Sequence, residues 1–261
     1  MKIKVLSKTD REIKIVVEGA NLQFANALRR IAMGEIPVLA IESADFHSND
    51  SVLYDEVLAH RLGSLPLKFN PKALNLRADC KCEGKGCANC QVVMVLDKKG
   101  PGMVYARDIK SADPEVATPL YPDTPIVELF EGQKLKLEAT ATLGFGKDHA
   151  KWSASRAWYH GYPKITIEGK LTNANEAAKS CPKNALTISD SKVTVTDDCD
   201  LCGECAKIGQ PTGALKVDAE PDKFVFNLES ISGFAAEDAL MAAADILRKK
   251  LKDFAKETDK L

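Results

Sequence analysis

No stretch of the chain approaches the ~20 consecutive apolar residues that cross a bilayer, and the opening Met1-Lys2-Ile3-Lys4 lacks the apolar run of a secretion signal. A soluble, cytoplasmic protein with no membrane contact is expected. An excess of either charge is missing too: 36 Lys and Arg stand against 37 Asp and Glu, for a net charge of −1. That balance argues against gripping nucleic acid with the whole surface, so little direct DNA contact is expected. There is no Gly-rich phosphate loop, low-complexity tract or whole-chain repeat. HExxH, a Ser-His-Asp order and paired-carboxylate motifs are absent as well. The four histidines (His47, His60, His149, His160) are scattered, none in a metal or triad motif, so no catalytic residue is assigned. Finally, no cysteine lies outside two clusters.

What is present is globular. At 261 residues the chain has room for one to two domains of ~150 residues, and 45% hydrophobic with 28% charged residues rules out disorder and fibrous repeats. Ile3 and Val5, then Ile13, Ile15 and Val17, alternate as a β-hairpin would. From Asn21 the spacing of Leu22, Ala25, Leu28, Ile31 and Ala32 becomes helical, with Asn21 able to cap and Gly34 to end it. Val38, Leu39 and Ile41 read as a strand. At the far end Phe224-Val225-Phe226 reads as a strand and Ser232 to about Lys256 as a long helix. That helix has Glu237 and Asp238 early and Lys249, Lys250 and Lys252 late, as its dipole favours. Leu240, Ala243 or Ala244, Leu247, Leu251 and Phe254 make a narrow seam. The seam suits another helix or docking on the chain's own domain. Residues 46–172, with turn-forming prolines and glycines and strand-like runs at Val92–Leu96 and Lys134–Ala141, read as an α+β insert. Residues 173–221 form a small polar module.

Eight cysteines in a reducing compartment point to metal or redox chemistry rather than a disulfide framework. Cys80, Cys82, Cys87 and Cys90 fall within eleven residues, with Gly84 and Gly86 between, and four thiolates so placed can close a tetrahedron around zinc. Metal-free thiols or a local disulfide are the alternatives. Cys199, Cys202 and Cys205 repeat the ferredoxin x2-x2 spacing, and Cys181-Pro182 supplies the fourth ligand of one [4Fe–4S] cluster. Zinc, or no metal, are the competing readings. Position 209 is Gly and no cysteine triplet precedes Cys181, so the second cluster of a two-cluster ferredoxin is lost. The remaining one acts as a staple for a module too small to hold itself together.

The stretches Phe24–Met33 with Glu35–Glu42, Leu58–Leu67 and His149–Ser153 resemble the α-type subunits of RNA polymerase, and the ferredoxin-like insert points to the archaeal branch. The resemblance implies an α+β fold with a split α-type dimerisation domain (1–45 and 222–261). An inserted α+β domain with the four-Cys knuckle (46–172) and a ferredoxin-like iron–sulfur domain (173–221) complete it. It also implies a non-catalytic assembly platform. The partners would be the small subunit L as heterodimer mate, then small subunits N and P and the two large catalytic subunits. Leu22, Leu28 and Ile31 with Leu240, Leu247 and Leu251 would pack the inter-subunit helices. Arg29 and Arg30 would face the large subunits or hold the turn. Implied cofactors are one [4Fe–4S] cluster at Cys181, Cys199, Cys202 and Cys205, degrading to [3Fe–4S], and zinc at the knuckle. The alternative function is a ferredoxin-type electron-transfer protein with an appended docking domain.

Overall fold

A computed structural model describes residues 1–189 and 192–260. The N-terminal alternation becomes β1 (Lys2–Lys8) and β2 (Glu12–Glu18), antiparallel with Ile3 opposite Val17 and Val5 opposite Ile15. Asn21 Oδ1 accepts from the Phe24 N–H at 2.8 Å and caps α1 (Leu22–Gly34). Pro37 opens β3 (Pro37–Asn49), a first position where its missing N–H costs no ladder bond. A second helix, α2 (Asp55–Gly63), was not expected, although Asp55 and Glu56 lie in its first turn and buried Leu58 and Leu62 are one turn apart.

Six strands follow: β4 (Leu67–Phe69), β5 (Gln91–Lys99), β6 (Gly102–Tyr105), β7 (Lys110–Ser111), β8 (Ala117–Pro119) and β9 (Pro125–Leu129). Then come β10 (Lys134–Phe145) and β11 (Ser155–Ile167). The cysteine-bearing module carries α3 (Ala174–Lys179), the antiparallel pair β12 (Leu186–Ser189) and β13 (Lys192–Val195), and α4 (Glu204–Ile208). The chain closes with β14 (Leu215–Ser230) and α5 (Ala236–Thr258).

Contacts divide the chain into two compact units. The first, Met1–Arg29 with Ala157–Leu228, is built on a sheet of strand order β1-β2-β14-β11. Ile13, Ile15, Val16 and Val17 from β2 and Phe224, Val225, Phe226 and Leu228 from β14 are buried. Tyr159 of β11 meets Phe224 edge-on at 5.8 Å and stacks on Phe226 at 6.5 Å. The cysteine-bearing module keeps its own small core of Ala177, Leu186, Ile188, Cys205 and Leu215.

The second unit, Arg30–Arg156 with Glu229–Leu261, centres on a sheet of order β3-β10-β5-β7. Leu135, Leu137, Ala139 and Ala141 alternate inward from β10, between β3 and β5, and α2 packs on β3. Two small ribbons, β4 with β8 and β6 with β9, complete it. Its helix α5 starts at Ala236 rather than at Ser232. Ser230 Oγ donates to the Phe234 carbonyl at 2.6 Å and the Phe234 N–H donates to Ser232 Oγ at 3.3 Å, which folds this segment into a turn first. No helix among the described residues is long and apolar enough to cross a membrane.

Candidate metal centres

The four-cysteine knuckle sits in the second unit between a 3-10 turn at Arg77–Asp79 and the start of β5. Tight turns bring the thiols together: the Glu83 N–H donates to the Cys80 carbonyl at 3.0 Å, Lys85 to Cys82 at 3.1 Å and Cys90 to Cys87 at 2.9 Å. Gly86 has φ +95°, and a side chain there would strike the Gln91 amide that Arg77 holds at 2.9 Å. Cys80 and Cys90 are buried, Cys82 and Cys87 half-buried.

Sγ of Cys80 lies 3.6 Å from that of Cys87, Cys82 3.6 Å from Cys90, and Cys87 3.9 Å from Cys90. All four sulfurs are within 4.8 Å of one another. A sulfur pair about 3.8 Å apart is the edge of a tetrahedron whose metal–sulfur bonds are about 2.3 Å. These separations are far beyond a disulfide bond, and all eight cysteines are free. The donor set therefore fits one divalent ion held by four thiolates. The Gly86 N–H bonded to Cys82 brings its thiol down to about 6, whereas burial pushes Cys90 up to about 12. Four thiolates in so small a volume call for a cation among them. Lys81 and Lys85 beside the knuckle are exposed and form a solvated face.

The second cysteine group lies in the first unit. Cys199 and Cys205 are buried, Cys181 half-buried and Cys202 exposed. Burial pushes the Cys199 and Cys205 thiols up, and Cys181 and Cys202 are near enough to raise both further. The left-handed residues Leu201 (φ +62°) and Gly203 (φ +75°) turn the loop between the three downstream cysteines, and Ala185 donates its N–H to Cys181 Sγ at 3.3 Å. Among the described residues the knuckle is the group of cysteines that gathers its donors closely enough to hold one metal ion.

Counting back from Cys181 by the ferredoxin spacing gives positions 177, 174 and 171. They hold Ala177, Ala174 and Leu171, all packed in the module's apolar core. A Cβ at Gly209 would meet Leu171 and Leu215 side chains at 3.3 and 3.2 Å. Hydrocarbon therefore stands at all three positions.

The residues singled out for partner contact are placed unequally. Leu28 and Ile31 are buried in the chain itself, and Leu22 is 55% exposed. Arg29 donates through Nε and Nη2 to Asn26 Oδ1 at 3.2 and 3.0 Å, within its own helix, and Arg30 is exposed. On α5, Leu240 and Leu247 are half-buried and Leu251 is 62% exposed.

One convergence escaped the sequence reading. The end of α1, the start of β3, the segment after α2 and the 3-10 turn at Ala150–Trp152 meet in the second unit. Ser155 Oγ donates to the Ala32 carbonyl at 2.9 Å and the Lys147 N–H to the Gly34 carbonyl at 3.0 Å, satisfying carbonyls the helix end leaves open. Lys151 bonds Glu42 and the Ile41 carbonyl, and His60, Ser64 and His149 line the adjoining cleft of about 380 Å³. The three stretches that carried the polymerase resemblance thus share one place, joined across about a hundred residues.

Comparison with known proteins agrees. Residues 40–160 match the RNA polymerase Rpb3/RpoA insert domain. The DNA-directed RNA polymerase subunit Rpo3 of Methanothermobacter thermautotrophicus is 41% identical over 255 residues, covering 96% of this chain and 96% of the relative. That of Methanosarcina mazei is 38% identical over 267 residues, covering 100% and 99%, and that of Pyrobaculum calidifontis 39% over 256 residues, covering 97% and 95%. With identity of this order running from end to end, the chain belongs to the archaeal Rpo3 family of DNA-directed RNA polymerase subunits.

Proposed function

We propose that this chain is the non-catalytic assembly platform of a cytoplasmic RNA polymerase. It pairs with the small α-like subunit L, then gathers small subunits N and P and the two large catalytic subunits, with little DNA contact of its own. The carrying observation is end-to-end similarity to Rpo3 chains, at 38–41% identity. It is supported by α5, which buries only Ala236, Ala239 and Ala243 while leaving Met241, Leu251 and Phe254 bare. On this reading 1–45 and 222–261 act as the dimerisation domain, 46–172 as the insert and 173–221 as the ferredoxin-like domain.

Zinc in the knuckle is the ion that four thiolates at these separations suit best. Cys181, Cys199, Cys202 and Cys205 would hold one [4Fe–4S] cluster, which can shed an iron to give [3Fe–4S]. When bound, the cluster supplies cross-links between α3, α4 and their loops. The thiolates, two of them buried, do the holding. The competing electron-transfer reading is disfavoured by the apolar filling around Leu171, Ala174 and Ala177, which removes a partner cluster for an electron.

Anaerobic affinity purification of the tagged chain from its native cells, with chain stoichiometry read by mass spectrometry, tests the platform role. Stoichiometric recovery of one small α-like chain and two very large ones is expected. Recovery of the chain alone, or with a reductase, overturns the reading.

A further inference from the structure

Lys14 lies in the middle of β2, yet its ammonium is spent far along the chain. Nζ is 2.6 Å from Asp197 Oδ2 and 2.7 Å from Asp198 Oδ1, and the side chain is 21% exposed. Those two carboxylates immediately precede Cys199, the first ligand of the triplet. The Cys199 N–H donates to the Thr196 carbonyl at 3.3 Å, so 196–199 is a single turn whose two outward side chains are both held by one lysine. Leu201 in the same loop reaches Gly161 of β11, where a side chain would also run into Ala219. The loop that presents the triplet is thereby seated on the sheet at two points, one electrostatic and one steric.

An ammonium facing two carboxylates forms charge-assisted hydrogen bonds, which are stronger and more directional than neutral ones. Asp197 is 31% exposed and Asp198 65%, so the inner carboxylate carries the stronger bond and the outer one is open to salt. Nothing in dimerisation or in the module's apolar core requires a cation at position 14. Its evident use is to fix the approach of the Cys199 turn.

We propose that Lys14 is the positioning residue of the iron–sulfur loop, clamping Asp197 and Asp198 to β2 so that Cys199 is presented at a fixed place. The proposal rests on the iron–sulfur reading of the second cysteine group, and its test separates the two. The full-length chain, its Lys14→Met, Lys14→Arg and Asp198→Asn variants and a Cys199→Ser control are loaded anaerobically with iron and sulfide. Iron content and visible absorbance are recorded, and iron release to a ferrous chelator is then followed. Lys14→Met is expected to load as wild type does but to release iron about tenfold faster, with Asp198→Asn about threefold faster and Lys14→Arg close to wild type. Added salt is expected to speed wild-type release toward that of Lys14→Met and to leave Lys14→Met unmoved, which a merely steric role for the side chain would not produce. Release from Lys14→Met at the wild-type rate, or equal salt dependence in the two, overturns the clamp. Should Lys14→Met not fold, as judged by circular dichroism, Asp198→Asn alone decides, and an unchanged rate in it overturns the clamp equally. A wild-type chain that takes up no iron, or Cys199→Ser loading as fully as wild type, overturns the cluster itself, whatever Lys14 does.

Discussion

Asp108 shows how much a single side chain contributes to the second unit. Its Oδ2 accepts from Lys98 Nζ at 2.6 Å and from the Tyr105 N–H at 2.7 Å, while Lys98 also donates to the Met103 carbonyl at 3.0 Å. Burial alone would raise this carboxyl, but Lys98 and the N–H outweigh it and hold it below the usual range. Because the folded value lies under the unfolded one of about 3.9, the stabilisation is complete above that pH. It is lost as pH falls through the folded value. Asp108→Asn is expected to cost about 1–2 kcal/mol at neutral pH and progressively less in acid, read by urea unfolding near pH 7 and near pH 3. A gap as wide at the lower pH would show that shape rather than charge matters there. Cys90, fully buried, makes the parallel case at the knuckle. Cys90→Ser is expected to abolish stoichiometric metal and to lower the stability of the second unit by at least about 2 kcal/mol, whereas the exposed Lys81→Ala changes neither. Metal analysis with thermal unfolding reads both; a Cys90→Ser chain that keeps its metal would exclude Cys90 as a ligand.

At the level of strands and helices, the most heavily buried aromatic position tests the first unit's sheet. Phe226 is 1% exposed and stacks on Tyr159, so Phe226→Ala is expected to cost about 3–5 kcal/mol, measured by denaturant unfolding. A cost below about 1 kcal/mol would mean that the sheet closes over the gap. The Phe224–Phe226 run was readable because β-branched and aromatic residues crowd there, but the strand is 16 residues long, and Pro221 and the charged residues around it concealed the rest. β11 was not readable at all. Gly161 and Pro163 look like turn residues in a string of letters, yet Gly161 is there because Ala219 leaves no space for a side chain. Similarly, Gly144 is in β10 because a Cβ would enter the indole of Trp152, whose Nε1 donates to the Thr142 carbonyl at 3.2 Å. The gathering of the knuckle cysteines, by contrast, was legible, since all four are near neighbours in sequence. The His60–His149 cleft was invisible because its walls come from segments about ninety residues apart, and nothing local announces that β3 and the turn at Ala150–Trp152 will meet. Leu28 and Ile31 share a helical face that periodicity can find, but periodicity does not say whether the chain or a partner covers it.

For the assembled molecule the telling asymmetry is along α5. Its first half is anchored by alanines, and Lys250 reaches Glu35 at 2.5 Å, yet Leu251 and Phe254 beyond are 62% and 69% exposed. Large apolar side chains on a helix whose own unit has stopped covering it are what a partner helix would bury. Truncating them together, Leu251→Ala with Phe254→Ala, is expected to leave the unfolding of the isolated chain within about 0.5 kcal/mol of wild type. Capture of the small α-like chain is expected to weaken by about 2–4 kcal/mol, as loss of two central anchors does. Equal losses in both assays would mean that these residues serve the chain's own fold. The Cys199–Cys205 loop belongs to the other unit, so on the proposed iron–sulfur reading disabling it addresses a different step. Cys202, the one exposed cysteine of that group, can be changed with least damage to the module's core. Cys202→Ser is expected to bind the small α-like chain as wild type does while recovering the large subunits poorly in air, because an unstapled module no longer presents a fixed surface to them. If whole polymerase forms around Cys202→Ser at wild-type yield in air, the cluster is dispensable for assembly and its role must be sought in the finished enzyme.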